Sequence, residues 1–389
     1  MTHPQPLAAT QTRPTWAEIS LPQLLENYRI IRRHVGPNRA IMAIVKADAY
    51  GHGLSEVART LAADGVDWFG VTSADEGVEL RQQGFSQPIL LLTGFWEGEQ
   101  SALTDYDLVP AVYSEDQLAT IEAWGERTGR RIRFHLKVNT GMGMLGLHWQ
   151  EVESFLALYR RMRHVELDGL FEQFAAAEDF TIQRTEEQIA RFRSFEQALG
   201  QAGIHPRYGH QANSAAIVSR PESWGNLVRP GLLLYGYHAP VRVSEGAPEP
   251  ACRSLPVREI LTFKTRVIAV KEVPAGTPLG YGGRYVTPRD GRIATLPAGY
   301  ADGVDRRLSG RGQVIVCGRY APIIGTISMD LTLVDVTDFP QLTLGEEVIL
   351  IGRQGDCSVT AVDIAELTGT IPHEILSSIG KRVPRRYIR

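Results

Sequence analysis

A lysine at the end of an apolar run is the first residue of this chain positioned to do chemistry. AIMAIVKADAYGHG places Lys46 directly after a strand-like segment, followed by a tyrosine and two glycines. Such a lysine is either a surface residue at a strand exit or a functional amine. In a partly desolvated pocket its charged form is disfavoured, so the amine becomes available to attack an aldehyde and afterwards to accept a proton. Pyridoxal phosphate is the aldehyde partner this implies. HQANSAA offers Asn213 and Ser214, short polar side chains beside small residues that let backbone N–H groups approach a phosphate. Taken alone, ANS reads sooner as an ordinary helix N-cap. VRPGLLLYG carries Arg229 inside an apolar strand, with Gly231 and Leu232 just beyond. An unpaired guanidinium there would be costly, so Arg229 requires a dedicated partner.

The elements that position these groups follow from the apolar pattern. Eight short apolar runs alternate with segments of helical period: residues 40–45, 67–72, 88–93, 108–113, 132–138, 165–174, a weak one at 208–214, and 227–235. Near-continuous apolar strands indicate a parallel sheet buried on both faces. Helices are expected in LSEVARTLAADG, SEDQLATIEAWGERTG and RTEEQIARFRSFEQALGQAG. Eight such units suit a TIM-type (β/α)8 barrel, whose C-terminal strand ends carry the active site. The competing doubly wound sheet lacks its GxGxxG after the first strand. Residues 238–256, HAPVRVSEGAPEPACRSLP, read as a linker. Beyond it FKTRVIAVKEV, GRIATLPAGYADG, GQVIVCGRYAPIIG, DLTLVDVTD and EEVILIG alternate with period two, so a mainly β C-terminal domain is expected. The expected division is a cofactor-binding barrel over 14–240 and a β-rich domain over 241–389.

At 389 residues, with 43% hydrophobic and 22% charged residues and a net charge of -3, the chain has material for two domains and lacks the basic character of a nucleic-acid binder. No apolar run reaches the roughly 18 residues of a membrane span, and MTHPQPLAATQTRPTW does not read as a signal peptide. A cytoplasmic protein is expected. The three widely spaced cysteines, Cys252, Cys317 and Cys357, make neither a disulfide framework nor a metal pair. No metal is expected.

VKADAYGHG resembles the pyridoxal-phosphate lysine motif of the alanine racemase family. The resemblance continues through LKVNTGMGMLG, HQANSAA, VRPGLLLYG, GYGGRY, LPAGYADG, GTISMD and RVPR, in the family's order and with comparable spacing. It implies a barrel with a C-terminal β domain, pyridoxal 5'-phosphate as cofactor and a homodimer with shared active sites. Tyr50, Asn213, Ser214, Gly231, Leu232 and His373 are the implied cofactor contacts beside Lys46, and Arg229 the implied partner of the pyridine nitrogen. An arginine can donate to that nitrogen but does not readily protonate it, which leaves a weaker electron sink and favours reprotonation over transamination. Inverting a stereocentre needs a base on each face. The resemblance assigns these to Lys46, acting on the D enantiomer, and Tyr281 of a second subunit, acting on the L. Locally, Tyr281 in PLGYGGRY reads just as well as a hairpin residue in a Gly-rich turn. Met329, Asp330, Tyr300 and Met144 are the implied substrate neighbours, the substrate being a small amino acid.

Three positions depart from the family pattern. Met144 stands where TGMGRLG has arginine, so a fixed positive charge is missing. Lys137, often carbamylated in the family to orient that arginine, remains without the partner, and is expected to be unmodified or partly carbamylated. Gln173 occupies the histidine of the THFA motif, and His373 stands where a tyrosine is usual. Glutamine hydrogen-bonds but does not titrate. The resulting expectation is an alanine racemase supplying D-alanine for peptidoglycan. The alternatives are a broad-specificity amino-acid racemase and a pyridoxal-phosphate-binding protein with little racemase activity.

Overall fold

The computed structural model describes residues 13–244 and 249–389. Most of the segment tested for a signal peptide, and four residues of the expected linker, lie outside the described residues. The chain divides into two compact units. One comprises Pro22–Ala49 and Leu54–Arg258; the other comprises the described residues through Leu21, Tyr50–Gly53 and Glu259–Arg389.

Strands are numbered along the chain, and β1 (Thr15–Ser20) belongs to the second unit. The first unit contains β2 (Ala40–Ile44), β3 (Trp68–Val71), β4 (Ile89–Leu91), β5 (Leu108–Val112), β6 (Ile132–Asn139), β7 (Leu147–His148), β8 (Val165–Phe171), β9 (Tyr208–His210) and β10 (Leu227–Val228). Apart from β7, which pairs with the end of β6, they form one parallel circle in the order β10-β2-β3-β4-β5-β6-β8-β9. Every residue of β3, β4 and β5 is buried, as expected of strands covered on both faces. Between β9 and β10 the circle closes through Asn226 N–H to Gly209 O at 3.2 Å and Arg229 N–H to Ala212 O at 3.0 Å. The three expected helices are present as Leu54–Ala63, Glu115–Thr128 and Arg184–Gln201. This is the (β/α)8 barrel, and no described helix is long and apolar enough to cross a membrane.

Two of the expected strands fall furthest short of their apolar runs. In 227–235 only Leu227–Val228 is strand, because Pro230 has no N–H for a ladder and Leu232–Tyr235 turns as a 3-10 helix. In 208–214 the strand stops at His210, and Asn213 caps the helix Ser214–Ser219.

The second unit is mainly β. Its large sheet runs β12-β15-β18-β17-β16-β19-β11-β1-β21, where β11 is Leu261–Arg266, β12 Ala269–Val273, β15 Gly291–Leu296, β16 Gln313–Val316, β17 Arg319–Ile324, β18 Thr332–Asp335, β19 Glu347–Gln354 and β21 Arg385–Ile388. Between β12 and β15 lies a small hairpin of β13 (Pro278–Leu279) and β14 (Tyr285–Val286), and β20 (Cys357–Val359) pairs with β19. Strand β1 enters this sheet antiparallel to β11 and parallel to β21, burying Trp16, Ala17 and Ile19.

Candidate active site

In the barrel, Lys46 leaves β2 at its C-terminal end and opens a single helical turn, Lys46–Gly51. The turn is left-handed: Ala47, Asp48, Ala49 and Tyr50 have φ of 53, 54, 53 and 56°. For L-residues this conformation costs about 1–2 kcal/mol each, so the turn has to be held. Glu76 Oε1 accepts the Ala47 N–H at 2.6 Å while its other oxygen takes Thr72 N–H at 2.8 Å, and Asp48 Oδ1 accepts Leu54 N–H at 2.8 Å.

Lys46 and Arg229 both act on a third cation, Lys137. Lys137 on β6 lies 5.7 Å above the Phe171 ring, and its ammonium is pushed down to about 8 by burial and by the charges of Arg229 and Lys46. Arg229 is 4% exposed; burial lowers it to about 10, partly offset by the Glu172 charge, so it stays protonated at neutral pH. Its Nη1 donates to His210 Nδ1 at 2.9 Å and His210 O at 2.8 Å. Its Nη2 donates to Glu172 O at 2.7 Å, Gln211 O at 3.0 Å and Gln173 Oε1 at 3.3 Å. Only Nε–H has no acceptor among the described residues.

A guanidinium can only donate, so His210 Nδ1 accepts and Nε2 carries the ring proton. That proton points to His135 Nδ1 at 2.9 Å, which places the proton of His135 on Nε2, 3.8 Å from Asp168 Oδ2. Both imidazoles are fully buried, and burial lowers the pKa of both, that of His210 well below the ordinary value. Phe171 stacks on His210 at 4.9 Å.

Asn213 Oδ1 accepts Ala216 N–H at 3.1 Å, so its side chain oxygen serves as the helix cap. Ser214 Oγ accepts Gly231 N–H at 2.9 Å and Leu233 N–H at 3.3 Å, leaving its own proton to donate. Leu232 is buried between these two donors, and Met144 is 72% exposed.

In the second unit Tyr50 is buried, and burial pushes its phenol far above the ordinary range, so it remains an O–H donor. His373, exposed near the start of the helix Pro372–Ser377, lies 5.7 Å from it ring to ring. A Cβ at Gly51 would stand 2.4 Å from Leu376 O, and the residue has φ of +80°, so only glycine fits. Tyr281 begins a 3-10 turn between β13 and β14 with its ring 73% exposed. Gly299 lets the backbone run against the loop at Ser328 and Met329: Tyr300 N–H reaches Ser328 O at 3.0 Å and Ala301 N–H reaches Met329 O at 3.1 Å. The fully buried Asp302 binds Arg13 at 2.8 Å and Arg382 at 2.8 Å, and Arg382 also holds Asp330 Oδ1 at 2.8 Å and Met329 O at 3.2 Å. No described residue accepts from the backbone N–H of Met329.

Family models of the alanine racemase N-terminal domain and C-terminal domain match residues 19–239 and 260–387. The alanine racemase of Halothermothrix orenii is 41% identical over 97% of this chain and 97% of its own length. Among solved structures, that of alanine racemase from Clostridium difficile 630 in complex with cycloserine superposes with a TM-score of 0.86 at 32% identity, covering 97% of this chain and 96% of the other. Alanine racemase from Bartonella henselae with covalently bound pyridoxal phosphate gives 0.83 at 30% identity, covering 96% and 99%. The chain belongs to the alanine racemase family.

Alanine racemases depend on pyridoxal phosphate, and the residues present fit that group. Lys46, Lys137 and Arg229 gather positive charge, and the carboxyl beside them, Glu172, is itself pushed up to about 7 by burial. A phosphate-bearing aldehyde supplies the missing negative charge. The hydroxyl proton of Ser214 and the spare Nε–H of Arg229 are donors of the kind its phosphate and ring nitrogen require.

Several residues that build this site were not singled out in the sequence: Glu76, His135, His210, Gln211, Glu172, Asp302 and Arg382. The capping-box pair Ser73 and Glu76 carries a readable signal, and RVPR contains Arg382. A histidine inside an apolar strand such as IRFHLKV gives no sign of what its ring meets.

Proposed function

We propose that this chain racemises alanine by a two-base reaction in which Lys46 and Tyr281 serve opposite faces of the α-carbon. The barrel, expected over 14–240, holds the cofactor through Lys46, Tyr50, Arg229, Ser214, Gly231 and Leu232, with Asn213 shaping the phosphate loop and His373 beside Tyr50. Pyridoxal phosphate, when bound, supplies an aldehyde that links to an amine and a conjugated ring that withdraws electrons from the α-carbon. Lys46, once released, accepts or returns a proton on one face. The phenol of Tyr281 does so on the other. The backbone N–H of Met329 takes the substrate carboxylate, Tyr300 walls the pocket and Arg382 keeps Asp330 and Met329 in place.

The observation that carries this reading is the arginine clamp. Every Nη donor of Arg229 that is used goes to a carbonyl, an imidazole or the Gln173 amide oxygen, and Nε–H is left over. A permanent donor there would suit an unprotonated ring nitrogen, and the weaker electron sink this would leave would favour proton return over side reactions.

The 73% exposure of Tyr281 supports reading it as a base for the active site of a second copy, so a homodimer with shared sites is part of the reading, with the domain over 241–389 contributing the tyrosine. The product role that fits is D-alanine for peptidoglycan in the cytoplasm. Met144, exposed and uncharged where the family has arginine, favours one second reading: a broader amino-acid specificity. Chiral analysis of L-alanine and a panel of other L-amino acids, incubated with cofactor-loaded protein, tests both. D-alanine formation that is lost in Lys46→Ala and Tyr281→Phe supports the proposal. Racemisation of the other amino acids alone supports the second reading, and no racemisation leaves a cofactor-binding protein.

A further inference from the structure

Glu172 is a fully buried carboxyl that the two-base reaction does not use. It follows β8 directly, and one oxygen accepts the hydroxyl of Thr140 while the other accepts the side-chain amide of Gln211. Gln188, on the helix Arg184–Gln201, donates to Thr140 Oγ1 at 3.0 Å and to Gln173 O at 3.1 Å, and Arg191 donates to Thr140 O at 2.7 Å. The backbone carbonyls of the same two residues, Glu172 and Gln211, are acceptors for Arg229 Nη2. Side chain to side chain and carbonyl to guanidinium, the contacts form a closed ring, so neither carbonyl can turn from Arg229 without straining the carboxyl–amide link.

We propose that Glu172 is a positioning residue for Arg229, tying the segments after β6, β8 and β9 together so that the guanidinium presents its spare Nε–H in one direction. The proposal rests on reading Arg229 as the donor to the cofactor ring. Among the described residues none forms an ion pair with Glu172; the charged and titratable groups on the elements packed around it include Arg133, His135 and Lys137 on β6, Asp168 on β8, His210 on β9, Glu187 and Arg191 on the helix, and Arg229 itself. Burial brings the carboxyl to about 7 against the pull of Thr140, Gln211 and Arg229, so its charge changes near neutrality beside a guanidinium that stays charged. Glu172 thereby acts on Arg229 both as an anchor and as a counter-charge.

Two measurements test this. The first needs no cofactor: amide hydrogen exchange of residues 172–175 and 211–214 in the cofactor-free protein. Glu172→Ala is expected to speed exchange there about tenfold while the core strands β3–β5 keep wild-type protection; Glu172→Gln, which retains an acceptor, stays close to wild type. The second uses the holoprotein. Glu172→Ala is expected to raise the cofactor dissociation constant about tenfold. The visible absorption of the bound cofactor should shift across neutral pH in the wild type and lose that shift in Glu172→Gln, which a merely structural role would leave in place. Wild-type exchange and cofactor affinity in Glu172→Ala overturn the proposal. Should Glu172→Ala not fold, Gln211→Ala opens the ring from the other side, and wild-type behaviour there overturns it equally. A wild-type protein that binds no pyridoxal phosphate would sink the reading of Arg229, and the exchange experiment would still decide whether Glu172 positions it.

Discussion

Glu76 accepts the backbone N–H of Ala47 at 2.6 Å, so a helix-capping carboxylate is also the clamp on the left-handed turn that starts at Lys46. The same side chain caps the helix Ala74–Gln82 with Ser73, and the two duties can be separated. Ser73→Ala removes the cap alone and is expected to cost about 1 kcal/mol with little change in kcat. Glu76→Ala removes both, and is expected to lower kcat by at least tenfold more than Ser73→Ala does. Urea unfolding and steady-state racemisation of the two variants provide the comparison.

Acid stability is expected to report the buried histidines. In the unfolded chain His135 and His210 titrate near 6.5, whereas burial depresses both in the folded protein. Their contribution is complete above that value and lost as pH falls below it, by roughly 1.4 kcal/mol per pH unit for each group while the gap persists. Glu172 has the opposite sign. Raised from 4.5 to about 7, it disfavours the folded state above neutrality and ceases to do so as pH falls toward 4.5. Urea midpoints of the cofactor-free protein should therefore fall on acidification less steeply in the wild type than in Glu172→Gln, and His210→Asn should flatten the wild-type dependence.

Met144 and Lys137 yield a prediction about modification. With no arginine at 144 to pair with a carbamate, native intact mass should show Lys137 unmodified or only partly carrying one added carbon dioxide. Its lowered pKa of about 8 leaves a reactive neutral fraction, so the modification is limited by the partner and not by the amine. Met144→Arg is expected to raise the carbamylated fraction and to lower the KM for alanine several-fold, read by mass and by initial rates.

Asp302 binds two arginines and the Gly299 N–H, and one of those arginines carries the Met329–Asp330 loop. Asp302→Asn takes the counter-charge from two partly exposed arginines and weakens a buried acceptor of the Gly299 N–H, with an expected loss of about 1–2 kcal/mol. If the loop takes the substrate carboxylate, Arg382→Met should raise KM more than it lowers kcat. An unchanged KM in a folded Arg382→Met protein would remove Met329 from the substrate site.

The barrel was readable because its strands are buried on both faces and so are apolar throughout: β2 to β6 coincide with runs visible in the sequence. Strand β1 was not, since TWAEIS is short and acquires its place only by pairing with residues about 250 and 370 positions away. Lys46, Arg229 and Ser214 were legible as types that need partners. What the sequence hid was their setting. KADAYG contains good right-handed helix formers, and only the aspartate tolerates φ near +54° without strong penalty, so a left-handed turn had no local signature. The clamp on Arg229 is mostly backbone carbonyl, which every residue has and no sequence advertises. Glu172 looked like one more charged residue at a strand exit, and only burial distinguishes it.

Strands β1 and β21 lie side by side, Ala17 opposite Arg385 and Ser20 opposite Ile388. During synthesis on the ribosome the edge of β1 that faces β21 therefore waits until residues about 370 positions later have been made, whereas all the barrel strands between them can already pair. The barrel is thus free to close first, and the sheet of the β unit gains β21 only after Arg385–Ile388 has been made. A product truncated before Arg385 would lack β21 and leave that edge of β1 unpaired, a ready template for association with another strand.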